Sequence, residues 1–86
     1  MADTNKITTW AELATMYEEE LRIARKRFPT EYQWPDREVP IVVGKMLDAF
    51  KKRSYSNAGH GIKGVARRLK IKPTYTELNA LFATLQ

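Results

Sequence analysis

Between Lys51 and Lys72 the chain carries eight basic residues and no acidic one: Lys51, Lys52, Arg53, Lys63, Arg67, Arg68, Lys70 and Lys72. Ammonium and guanidinium groups clustered in this way bind polyanions, because meeting a row of phosphates releases the counterions condensed on it. The asymmetry extends through the chain. Residues 1–43 hold six Lys/Arg against eight Asp/Glu, a net charge of −2, whereas residues 44–86 hold nine against two, a net of +7. The expected chemistry is therefore binding, to nucleic acid or to an acidic protein surface.

Residues able to do bond-making chemistry are few. With no cysteine, neither a disulfide framework nor a thiolate zinc site is expected, which fits a reducing compartment. His60 is the only histidine and has no acidic neighbour in sequence, so metal ligation and general-base work are not expected of it. The basic half offers only Asp48 and Glu77 as carboxylates, too little for an enzyme, and no cofactor is implied. Gly59-His60-Gly61-Ile62-Lys63-Gly64 spells the dinucleotide-binding fingerprint, but that motif works after a buried strand, and here Lys51-Lys52-Arg53-Ser54-Tyr55-Ser56 precede it. The nested Gly61-Ile62-Lys63-Gly64 also fits the GxxG loop of KH domains, without the sheet that loop requires. Two readings remain: small residues at a helix start let N–H groups approach a phosphate beside His60 and Lys63, or they permit a turn and close packing on the first or second helix.

The elements that must position these residues are all helices, about four of them in a single domain spanning 1–86. Thr9-Trp10-Ala11-Glu12 is a capping-box pattern, and Trp10, Leu13, Ala14, Tyr17, Leu21, Ala24 and Phe28 then form one apolar stripe, predicting a helix over 10–28 stopped by Pro29. Its charges run from Glu18-Glu19-Glu20 to Arg22, Arg25, Lys26 and Arg27, matching the helix dipole, with Glu18 and Arg22 as an i,i+4 pair. Pro29, Pro35 and Pro40, with Tyr32 and Trp34, read as an ordered, partly extended connection in which Trp34 packs onto the core. A second helix over 40–53 places Val39, Val43, Met46, Leu47 and Phe50 on one face, and Gly44 either weakens it or allows a close crossing. Ser54 to Gly59 mark a reversal, followed by a third helix over 58–71 with Ile62, Val65, Ala66 and Leu69 inside and Lys63, Arg67 and Lys70 on a different face. Thr74-Tyr75-Thr76-Glu77 is a second capping box, opening a helix over 75–85 with Leu78, Leu81, Phe82 and Leu85 inward. No segment alternates with period two, so the fold class is an all-α bundle.

The last two helices, joined by a short turn, are similar to a helix-turn-helix, in which the second helix enters the major groove. Ala66 stands at the close helix contact and Ile71 at the apolar turn position, while Lys70 replaces the usual glycine and the fourth helix carries no Lys or Arg. Lys63, Arg67, Arg68, Lys70 and Lys72 are the candidate phosphate contacts, with His60 beside them. Tyr75, Thr76 and Asn79 are the candidates for touching base edges. Residues 46–85, through Ala49-Phe50, Ser54-Tyr55-Ser56-Asn57 and Ala66 to Tyr75, also resemble the C-terminal half of small, largely uncharacterised bacteriophage proteins, with Lys70 and Pro73 standing where those have glycine and histidine. The resemblance implies a phage accessory protein acting in a bacterial cytoplasm and carries no catalytic residue.

The expected function is nucleic-acid binding, DNA more than RNA, through the basic half. The alternative is docking on an acidic surface of a bacterial host protein, anchored by Tyr55, Tyr75, Trp34 or Arg68. The longest aliphatic run is Ile41-Val42-Val43, so a soluble protein without membrane contact is expected. A homodimer is open if the first helix's stripe continues across a two-fold axis.

Overall fold

The computed structural model of the protein describes residues 6–55 and 59–86. Within them lie four helices, α1 (Trp10–Arg27), α2 (Val39–Lys51), α3 (Gly59–Leu69) and α4 (Tyr75–Thr84), with one 3-10 turn (Asp36–Glu38) ahead of α2 and no strand among the described residues. The all-α bundle expected from periodicity is the observed fold. The expected turn at Ser56, Asn57 and Ala58, and the start of the third helix at 58, lie outside the described residues.

Local chemistry sets the helix ends. The Thr9 hydroxyl accepts the Glu12 N–H at 3.1 Å, and the Glu12 carboxylate accepts the Thr9 N–H at 3.1 Å, completing the capping box. The Thr8 N–H and hydroxyl also donate to that carboxylate, and these donors, the Thr8 N–H foremost, hold the Glu12 carboxyl below its ordinary range. At α4 only half of the box forms, with the Thr74 hydroxyl accepting the Glu77 N–H at 3.4 Å. Pro40 sits in the first turn of α2, where its missing N–H has no intrahelical partner to lose.

The C-terminal ends of α2 and α3 are built alike. Arg53 and Lys70 both adopt φ 60°, the left-handed region. After α2, Arg53 N–H reaches Phe50 O at 3.0 Å and Ser54 N–H reaches Ala49 O at 2.9 Å; after α3, Lys70 N–H reaches Arg67 O at 3.2 Å and Ile71 N–H reaches Ala66 O at 3.0 Å. These paired bonds are Schellman closures, a geometry that favours glycine because it has no Cβ. Lys70 thus occupies a position whose backbone does call for glycine, and both caps put a cation at the negative end of a helix dipole.

The core gathers Leu13, Tyr17 and Leu21 from α1, Val39, Val43, Leu47 and Phe50 from α2, Ile62 and Val65 from α3, and Leu78 and Phe82 from α4. Phe50 stacks on Phe82 at 5.0 Å, Phe82 on Trp10 at 5.4 Å, and the Tyr17 and Tyr55 rings tilt against Phe50. The α1 stripe is therefore covered within one chain as far as Ala24, and Trp34 packs against the core edge as expected. Phe28 departs from it: past the last buried turn of α1 it is 37% exposed. Gly44 faces open space, so it weakens α2 without enabling a crossing. Trp10 N–H donates to Gln86 O at 3.3 Å and Gln86 N–H to Thr8 O at 3.0 Å, tying the start of α1 to the segment after α4. No helix among the described residues is long and apolar enough to cross a membrane.

Candidate nucleic-acid interface

The placement of the basic residues follows from how α3 seats on α1. A Cβ at Gly61 would collide with the Tyr17 ring, and one at Gly64 with the Glu20 carboxylate, so these glycines are the contact surface that lets the two helices approach. The Gly-rich segment serves close packing, the second of the two readings open from sequence. Burial pushes the Tyr17 hydroxyl well above the usual phenol range, opposed by a hydrogen bond from the Ile62 backbone in the first turns of α3.

This seating divides the cations of α3. Arg68 turns toward α1, with Nη1 2.7 Å from Glu19 Oε2 and Nε 2.6 Å from Glu20 Oε1. The Glu19 hydrogen bond, with both carboxylates nearby, raises its pKa further. Arg68, expected among the phosphate contacts, is thus committed to internal carboxylates. Lys63 and Arg67, one helical turn apart, stay exposed, as do Lys70 and Lys72 in the connection to α4. Among the described residues none of these four has a carboxylate partner.

Arg27, at the last turn of α1, joins them. It lines a shallow cleft of about 80 Å³ with Glu20, Phe28, His60, Lys63 and Arg67. That volume is far below the roughly 300 Å³ at which small-molecule pockets begin, so the cleft fits contact by a charged group better than enclosure of a ligand. His60 is the second residue of α3 and stacks on Phe28 with centroids 4.6 Å apart and planes at 25°. Tyr32 stands edge-on to His60 at 5.8 Å, Trp34 lies 5.8 Å from Tyr32, and the Arg25 guanidinium sits 5.6 Å over Trp34. Burial first, then the Glu31 carboxylate, pushes the Tyr32 hydroxyl up.

The candidate base readers lie on another cluster. Tyr75 is 66% exposed, with its ring 5.1 Å from Tyr55; Thr76 is exposed; and Asn79 accepts a hydrogen bond from the Tyr55 hydroxyl through Oδ1. The carbonyl of Asn79 is thus engaged within the fold. The close helix approach of α3 is to α1. Two consecutive helices are present where a helix-turn-helix was expected, but that pairing is not established.

Sequence reasoning missed Arg27, Phe28, Tyr32 and Trp34 as neighbours of His60. The available signal was the Arg22-to-Arg27 basic end of α1 followed closely by three aromatics. Among the described residues no group of His, Cys, Asp and Glu could hold a metal ion. Comparison with protein-family models, with curated proteins and with solved structures finds no match.

Proposed function

We propose that the protein is a small nucleic-acid-binding protein that contacts phosphates through its basic C-terminal half. The observation that carries this reading is the distribution of acid partners around α3: Glu19 and Glu20 pair with Arg68, while Lys63 and Arg67 have no ion-pair partner among the described residues and share a cleft with Arg27. A surface kept positive beside a carboxylate pair suits phosphate binding, where each neutralised phosphate contributes to the salt dependence. Lys70 and Lys72 extend the same charge toward α4. The resemblance of residues 46–85 to small phage proteins supports reading the protein as an accessory factor acting in a bacterial cytoplasm.

The test is fluorescence anisotropy with labelled oligonucleotides from about 50 to 200 mM salt. Binding is expected with a steep negative salt slope. K63E/R67E, which replaces two cations with anions at exposed positions, is expected to abolish it while leaving the helical content unchanged. Unaltered affinity in that variant, or no binding at the lowest salt, overturns the reading and turns the same surface toward an acidic host protein, to be sought by pull-down from nuclease-treated lysate.

A further inference from the structure

We infer that the nucleic acid taken by this surface is single-stranded, its bases stacking on Phe28, His60 and Tyr32 while Arg27, Lys63 and Arg67 hold its phosphates. The inference rests on the nucleic-acid reading above and adds the strand class to it.

Two independent observations carry it. The first is the company the cations keep. Phe28 is 37% exposed, His60 is exposed and Tyr32 is half-buried, and all three meet within 6.4 Å, centroid to centroid, beside the cleft that Arg27, Lys63 and Arg67 line. Trp34 extends the row, capped by the Arg25 guanidinium. Arg25 is paired with Asp36, but Arg27, Lys63 and Arg67 have no carboxylate partner among the described residues. Exposed ring surface interleaved with such cations is the arrangement that tracks a single strand: bases with free π-faces stack on the rings, and the backbone follows the charge. A duplex keeps its bases stacked on one another and offers those rings nothing to stack against.

The second observation is that α4 itself carries little of what groove readout uses. Groove readout needs a projecting helix with free polar side chains and flanking cations. α4 has no Lys or Arg, and its Asn79 carbonyl accepts from Tyr55. The aromatic and cationic side chains converge instead where the C-terminal end of α1 meets the N-terminal end of α3.

The experiment compares Kd for a labelled thymidine-rich strand of about 12 nucleotides, within the span bound by small single-strand modules, with that for a duplex of equal length, at about 50 mM salt. The single strand is expected to bind more tightly. F28A and H60A are each expected to weaken it about fivefold or more, the lower end of measured base–aromatic stacking. F28Y and H60Y, which retain a ring, are expected to keep affinity within about twofold, and melting curves on every variant separate lost binding from lost fold. Should F28A melt early, H60A, at an exposed site, carries the test. Equal affinity for strand and duplex, or single-strand binding untouched by both alanine variants, overturns the single-strand inference while leaving salt-dependent phosphate binding standing. No binding to either form overturns both.

Discussion

Two aromatic clusters occupy this small molecule, and they differ in what surrounds them. The first, centred on Phe50, takes in Tyr17, Trp10, Phe82 and Tyr55, is walled by aliphatic side chains from all four helices, and leaves Phe50 fully buried. The second joins Phe28, His60, Tyr32 and Trp34, lies at the surface, and is bordered by Arg25, Arg27, Lys63 and Arg67. The two approach each other where Tyr17 of the first lines one small pocket with Tyr32, Trp34 and His60 of the second. The same residue types therefore sit in different settings: rings covered by Leu, Val and Ile hold the fold, and rings left partly open among cations form the face proposed above to meet nucleic acid.

The comparison is broken most sharply at Phe50. F50A is expected to cost about 3–5 kcal/mol, a large share of the roughly 5–15 kcal/mol typical of a whole domain, whereas F28A is expected to cost about 1 kcal/mol or less; urea titrations of the two variants check the contrast. Next in size is Gly61, the residue joining the clusters, since it rests on Tyr17 of the first while its neighbour His60 belongs to the second. G61A is expected to destabilise by about 1–3 kcal/mol through overpacking, and also to weaken any ligand bound at His60. A variant that lowers Tm with unchanged binding would show the clusters to be mechanically independent.

Lys70 supplies a change in the opposite direction. K70G relieves a left-handed side chain and is expected to stabilise by up to about 1 kcal/mol while removing one exposed cation, so Tm rises as the salt slope of binding becomes slightly shallower. The smallest effect concerns Glu12, in neither cluster. Its folded pKa lies below the ordinary 4.5, so its contribution is present above that value and is lost as pH falls through the folded one. E12Q is expected to flatten the acid limb of Tm against pH and to leave nucleic-acid affinity unaltered.

Helix positions were legible because each helix repeats its apolar residues at three- and four-residue steps and two of them open on a threonine cap. The 3-10 turn at Asp36–Glu38 was not, since three residues between prolines carry no period. The basic face was legible in charge but not in membership. Arg67 and Arg68 are adjacent in sequence, and only the seating of α3 on α1 through Gly61 and Gly64 decides which of them meets Glu19 and Glu20. The small-residue spacing of those glycines, together with the Glu18-Glu19-Glu20 run, held that information without naming the partner helix. Phe28 fitted the α1 stripe by spacing, yet a stripe does not say where the core beneath it stops.

The reciprocal backbone bonds among Thr8, Trp10 and Gln86 have a kinetic corollary. α4 has no broad backbone approach to its neighbours, and it is held through Leu78, Phe82 and this clasp. Fraying at one end of the clasp must open the other, so the amides of Trp10 and Gln86 should exchange with deuterium as a unit, at a common opening free energy. The first turn of α1 and the last turn of α4 would then form one cooperative unit across the chain's greatest sequence separation, and local loosening there would pass directly into the Trp10–Phe82 stack.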